Sequence, residues 1–177
     1  ILYGRKSILE KMPPYQGGGE MIREVTFKKT TYNDLPYKFE AGTPNIADVI
    51  AFRQAMEFIL ELGRENITAH ERKLLSYASR KVGALPLVTL IGSASEKVGV
   101  LSFVIENIHP FDIGQMLDAR GIAVRTGHHC TQPLMACLGI NGTVRASFAV
   151  YNTEAEVDAL VESLKRIIKF LNSSHVN

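Results

Sequence analysis

Apolar positions recur at helical spacing from residue 46 onward. Ile46, Val49, Ile50, Met56, Ile59 and Leu60 share one face of a helix over residues 46–62, with Asp48, Gln54, Glu57 and Glu61 opposite. Gly63 is its expected stop. A second helix is predicted over residues 67–82, with Leu74, Leu75, Ala78 and Val82 inward and Gly83 at its end. Residues 86–91 and 98–105 are rich in β-branched and apolar side chains. The loop between them opens with Gly92-Ser93-Ala94-Ser95, which reads as a hairpin. Pro110 opens a helix through Leu117, residues 122–124 read as a short strand, and residues 143–150 as another. In that last strand Val144, Ala146, Phe148 and Val150 face one way, and Arg145, Ser147 and Ala149 the other. Thr153 and Glu156 have capping-box spacing. The apolar stripe Val157, Leu160, Val161, Leu164, Ile167, Ile168 and Leu171 follows, and the polar tail past Asn172 is expected to fray. The order α, α, β, β, α, β, β, α predicts an α+β fold, a small mixed or mainly antiparallel sheet covered by helices.

Residues 1–38 lack such periodicity. Pro13-Pro14 and Gly17-Gly18-Gly19 punctuate them, so loops with short extended pieces are expected, and the glycine triplet reads as a turn. A chain of 177 residues can hold one domain with a real core, or one domain plus a tail. The net charge of +2 is scattered, which argues against nucleic acid or an anionic membrane as partner. No apolar run approaches the roughly 20 residues of a membrane span, and no signal-peptide pattern is present. Two cysteines in unlike surroundings do not form a disulfide framework, so a reducing cytoplasm is expected. The chain begins at Ile1 with Ile1-Leu2-Tyr3-Gly4-Arg5-Lys6, which reads as a piece cut from something longer.

The chemistry centres on Val124-Arg125-Thr126-Gly127-His128-His129-Cys130. A thiol reacts as thiolate, and neighbouring cations favour that form. Gly127 and Pro133 point to a mobile loop that presents the cysteine, whereas Cys137, in Leu134-Met135-Ala136-Cys137-Leu138, has the surroundings of a structural cysteine. An inert Cys130 is the plainer alternative. A metal site is disfavoured, because three consecutive side chains do not readily converge on one ion. Arg145 is either a solvated strand arginine or a two-pronged carboxylate clamp. Arg125 tunes the thiol or pairs with an acid. Phe39-Glu40-Ala41-Gly42-Thr43-Pro44-Asn45 precedes the first long helix, so Thr43 or Asn45 caps that helix, or its N–H groups receive a phosphate.

Taken together, Arg125-Thr126-Gly127-His128-His129-Cys130, Pro133-Leu134-Met135, Arg145-Ala146-Ser147, Tyr151-Asn152-Thr153, the stretch from Phe39 to Asn45, and Pro13-Pro14-Tyr15-Gln16-Gly17-Gly18-Gly19-Glu20-Met21-Ile22 resemble the C-terminal portion of SufS-type cysteine desulfurases. These are class V aminotransferase-like, pyridoxal-phosphate enzymes related to selenocysteine lyases. The resemblance runs in order along nearly the whole chain, and the His-His-Cys block is typical of this branch rather than of the NifS/IscS branch. It implies the C-terminal small domain of a fold type I transferase at residues 46–177, and a remnant of the large pyridoxal-phosphate domain with connecting loops at residues 1–45. It implies that Cys130 takes sulfur from L-cysteine as a persulfide and that alanine leaves. Arg145 binds the substrate carboxylate and Arg125 lines the same pocket. His128 and His129 shape the loop or polarise the thiol. Thr43, with Gly42, reaches the phosphate of the cofactor in the partner subunit of a homodimer, and the segment around Gly18 lies near the dimer interface. A sulfur-acceptor protein and iron–sulfur cluster assembly follow from the same resemblance.

One departure stands out. The family's Schiff-base lysine follows a histidine, but no lysine here does, and Lys6, Lys11, Lys28 and Lys29 stand in other contexts. Ile1-Leu2-Tyr3-Gly4 resembles the stretch shortly after that lysine. The isolated chain is therefore expected to be inactive. The alternatives are a non-enzymatic persulfide carrier or docking module, and a selenocysteine lyase.

Overall fold

The structure, a computed structural model, describes residues 1–174, with side chains through Leu171. It divides into two compact units, Ile1–Ile59 and Leu60–Asn177. In the first unit a one-turn helix α1 (Lys6–Leu9) is followed by a two-stranded antiparallel ribbon, β1 (Ile22–Val25) and β2 (Thr30–Tyr32). The short helix is absent from the sequence expectation, which has only loops and extended pieces there. Lys38 Nζ donates to the carbonyls of Leu9 and Glu10 at 3.2 and 2.9 Å, satisfying groups that so short a helix leaves open. Met21 is the buried anchor of this unit, and Asn33 Nδ2 donates to the neighbouring Glu20 carbonyl at 3.0 Å.

Helix α2 (Ile46–Leu62) begins where expected, capped by Asn45, whose Oδ1 accepts from the Asp48 N–H at 3.3 Å. Gly63 follows at φ +80°, a left-handed residue that ends it. The face expected to be buried is open, however: Val49 is 68% and Ile50 69% exposed, and α2 has no buried residue. Phe52 and Phe58, outside the predicted stripe, are exposed as well. A helix that is apolar on most sides is built for the middle of a larger core, so its periodicity alone does not name a cover.

The second unit is a two-layer sandwich. Its helices are α3 (Arg64–Gly83), α4 (Pro110–Asp118), α5 (Gln132–Leu138) and α6 (Glu154–Ser174), and its strands β3 (Val88–Ile91), β4 (Val100–Ile105), β5 (Arg125–Gly127) and β6 (Thr143–Ser147). All neighbouring strands are antiparallel, in the order β3-β4-β6-β5. Leu101, Phe103 and Ile105 of β4, with Val144 and Ala146 of β6, face the helices. Helices α3 and α4 lie on the sheet, and α6 packs against both. The inward residues of α3 are the four predicted, Leu74, Leu75, Ala78 and Val82. The α6 stripe from Val157 to Ile168 is buried, with Leu171 packed against it. The capping box forms: the Thr153 N–H donates to Glu156 at 2.7 Å, and the Glu156 N–H to Thr153 Oγ1 at 3.3 Å. Tyr77 and Lys81 of α3 both engage Asp158 of α6, and they hold its carboxyl below the ordinary range.

Three expectations are corrected here. The predicted strand at residues 122–124 is displaced to Arg125–Gly127, because β6 offers its pairing edge to those residues. The predicted strand 143–150 ends at Ser147, where the chain turns into the cap of α6. Cys137 lies on α5, a helix absent from the predicted order, and is exposed rather than packed, because Met135 is the residue that α5 buries. Helix α6 continues through Ser174, and the remainder of the expected tail, 175–177, lies outside the described residues. Among the described residues no helix is long and apolar enough to cross a membrane.

Leu164 is fully buried in this core. Leu164→Ala is expected to destabilise the fold by about 2–5 kcal/mol, whereas Val49→Ser changes stability by about 0.5 kcal/mol or less. Chemical denaturation of the two variants checks the contrast.

Candidate functional site

The sulfur-bearing loop leaves β5 at Gly127 and doubles back at once. The His128 carbonyl accepts from the Thr131 N–H at 2.9 Å and from the Thr131 hydroxyl at 2.7 Å. Between them His129 and Cys130 sit at φ +53° and +60°. Two successive left-handed residues describe a tight turn that ordinarily takes Asn or Gly, and each such non-glycine residue costs about 1–3 kcal/mol. The turn places Cys130 at the surface with its thiol free. Helix α5 starts two residues later. The loop is thus a hydrogen-bonded turn.

The other end of the loop is fixed by backbone packing. Gly142 precedes β6 at φ +131°, and a Cβ there would meet the Gly127 carbonyl carbon and oxygen at 2.9 Å each. Only glycine lets the two backbones meet, and their approach sets the β5–β6 register: Gly127 opposite Thr143, Thr126 opposite Val144, Arg125 opposite Arg145. Since Val144 faces the core, Arg145 and Arg125 project together from the opposite face, with Ser102 of β4 next in the row. Like charges directly opposite each other are unfavourable, which leaves this face strongly cationic. The Arg145 Nε is buried with no hydrogen-bond partner among the described residues.

His129 joins this cluster, whereas His128 is exposed beside it. The His129 Nε2 lies 2.9 Å from Thr143 Oγ1 and 3.3 Å from the Thr143 carbonyl. Burial, then the Arg145 guanidinium, pushes the imidazole below the ordinary histidine range; Arg125 and His128 add to this, and the Thr143 carbonyl opposes it. Arg125, Arg145, His128 and His129 are therefore brought together, with Cys130 next to His129 on the turn. Thr143, buried at 2% exposure, is a site residue that sequence reasoning missed. Its signal was its place between Gly142 and the first inward residue of the strand. A thiol, two guanidiniums and a neutral imidazole can supply a nucleophile and an anion cradle. Among the described residues no group of His, Cys, Asp or Glu is placed to hold a metal ion.

The other two candidate residues belong to the first unit. Gly42 is left-handed at φ +77°, and its N–H donates to the Gly19 carbonyl at 2.9 Å. That N–H is committed to the glycine segment, where Gly18 packs on Ala41. Thr43 is exposed, and no hydrogen bond among the described residues engages its hydroxyl.

Comparison with known proteins gives this geometry a family. Residues 1–160 match the family model described as aminotransferase class-V. The chain belongs to the class-V aminotransferase family. Within it, the chain is 47% identical over 167 residues to a probable cysteine desulfurase 1 of Mycobacterium leprae, covering 94% of this chain and 27% of that protein. Its structure matches the cysteine desulfurase CsdA of Escherichia coli with a TM-score of 0.87 at 38% identity, over 95% of this chain and 42% of that one. The C-DES structure with glycine covalently linked to its PLP cofactor matches with a TM-score of 0.72 at 19% identity, over 92% of this chain and 40% of that one, a likeness of fold alone. The chain thus spans well under half the length of these class-V relatives.

Two outcomes follow for this class-V chain. Gly142→Ala is expected to cost at least about 1–3 kcal/mol from backbone strain, with further loss from the Gly127 collision, read as a lowered denaturation midpoint. His129 binds its proton less readily in the fold than in the unfolded chain. Its contribution to stability is therefore full above the ordinary histidine pKa of about 6.5 and falls as pH drops below that toward the lowered value. Thermal melts from pH 7.5 to 5.5 should show this component, and His129→Gln should remove it.

Proposed function

We propose that the chain is the C-terminal part of a SufS-type, pyridoxal-phosphate-dependent cysteine desulfurase. The observation that carries the reading is the exposed Cys130 on a strained turn beside the Arg125–Arg145 pair, in a chain 47% identical to a probable cysteine desulfurase. Arg145, with Arg125 across the strand pair, holds the α-carboxylate of L-cysteine and so orients its sulfur. The Cys130 thiolate attacks that sulfur; the carbon–sulfur bond breaks, a sulfur–sulfur bond forms on Cys130, and the departing carbon takes a proton to become alanine. Bound pyridoxal phosphate supplies the electron sink for that carbon.

The residues present fit the cofactor in part. The Thr43 hydroxyl is free to reach the phosphate of the partner subunit's cofactor in a homodimer, whereas the Gly42 N–H is taken by Gly19 and shapes the turn instead. The Schiff-base lysine lies, on this reading, in the part of the relatives' length that this chain does not span. The persulfide passes to a sulfur-acceptor protein for iron–sulfur cluster assembly in the reducing cytoplasm. An exposed thiol as acceptor suits that compartment.

In the complete protein, Cys130→Ala is expected to lower alanine release from L-cysteine by at least about 100-fold, and Arg145→Lys to raise KM for L-cysteine about tenfold or more. Steady-state kinetics and persulfide mass spectrometry on Cys130 check both. The isolated 177-residue chain is expected to release no alanine. Release by the pure chain, or full activity of Cys130→Ala, would sink the reading.

A further inference from the structure

The tie between the cysteine turn and the sheet is the His129 ring. Its hydrogen bonds run from Nε2 to Oγ1 and the carbonyl of Thr143, a residue locked at the start of β6 and 2% exposed. A carbonyl only accepts and a hydroxyl can accept, so a ring proton on Nε2 satisfies both contacts at once. The Nδ1 is then a lone-pair acceptor, and it is buried without a partner among the described residues. Beside it stand Arg145, Arg125 and His128, all donors or cations. A second proton on this ring would add charge to a cluster that is already cationic, so the neutral ring is the form that fits. The ring is rooted in one of the two left-handed residues of the turn, next to Cys130. Its contact with Thr143 of β6 therefore spans the left-handed turn that carries the thiol.

Resting on the desulfurase reading, we propose that His129 is the positioning residue of the Cys130 turn: as a neutral imidazole donating from Nε2, it clamps the left-handed turn to Thr143 and holds the thiol where it meets the substrate sulfur. The clamp assigns His129 a mechanical role distinct from proton transfer to or from the thiol. It also assigns the two adjacent histidines different duties, since His128 is exposed and contributes its carbonyl to the turn.

The test uses the complete enzyme and four variants: Thr143→Val, Thr143→Ser, His129→Ala and His129→Gln. Glutamine places a donor near the position of Nε2 but carries no titrating ring, and serine restores the hydroxyl that valine removes. Kinetics on L-cysteine and hydrogen exchange of the peptide over residues 127–131 are read together. In Thr143→Val and His129→Ala, kcat is expected to fall about tenfold or more with KM within about twofold. Exchange at the turn is expected to rise about fivefold or more, with β4 and α6 unchanged. Thr143→Ser and His129→Gln should stay within about threefold of the parent in both readouts. Wild-type exchange and kcat in Thr143→Val would overturn the clamp. A His129→Gln variant as impaired as His129→Ala, but with parental exchange, would overturn it too, in favour of imidazole proton transfer. If the parent enzyme releases no alanine from L-cysteine, the desulfurase reading fails, while the exchange data still decide the clamp.

Discussion

The backbone approach of Gly142 to Gly127 is the constraint on which the site rests. Strand β5 is three residues long, too short to hold its own register against a slip. A slip by one residue would turn Arg125 toward the core and Thr126 away from it. Contact between two backbones with no side chain between them removes that freedom, because any Cβ at residue 142 collides with Gly127. The same contact brings Thr143 under the loop, and Thr143 then receives His129. Placement of the arginines and placement of the thiol therefore depend on one junction.

Strand β6 carries the rest. It is paired on both sides, to β4 and to β5, so its alternation is enforced twice. Val144 and Ala146 face α4 and the core, and that burial holds Arg145 outward. Placing Arg125 directly opposite Arg145 is electrostatically unfavourable, and so is leaving Arg145 Nε and His129 Nδ1 buried without partners among the described residues. A fold keeps such conflicts where the rest of the structure over-determines them. Here the over-determination comes from the α3–α4–α6 layer, whose core residues lie on the other face of the same strands.

What the sequence reveals follows from where each segment finds its partner. Helices α3 and α6 are legible because their stripes pack on each other and on the sheet within this chain. Helix α2 is legible as a helix, but its burial is not, because none of its apolar residues is buried among the described residues. The shift of β5 from residues 122–124 to 125–127 has a similar origin: apolar character marks a segment as sheet-like, but the partner edge decides which residues pair. Helix α5 was hidden by Pro133, which reads as a breaker in isolation yet stands in the first turn, where a missing N–H is harmless. Its shortness also explains Cys137: an apolar neighbourhood in sequence is not a buried one when a seven-residue helix turns only Met135 inward.

At the site, composition was legible and conformation was not. Arginine, two histidines and cysteine in one run point to an activated thiol. Nothing in those letters requires left-handed φ at His129 and Cys130, residues with no intrinsic preference for it. The conformation is held from outside, by the two hydrogen bonds that Thr131 donates to the His128 carbonyl on one side and by Thr143 on the other. A turn of this kind gives the thiol a fixed direction and little freedom to collapse onto the sheet. On the proposed desulfurase reading, a nucleophile that must strike one sulfur atom in line benefits from such restriction, because misplacement by about an ångström can cost two orders of magnitude in rate. The strain in the turn and the clamp that resists it are thus two halves of one device for aiming Cys130.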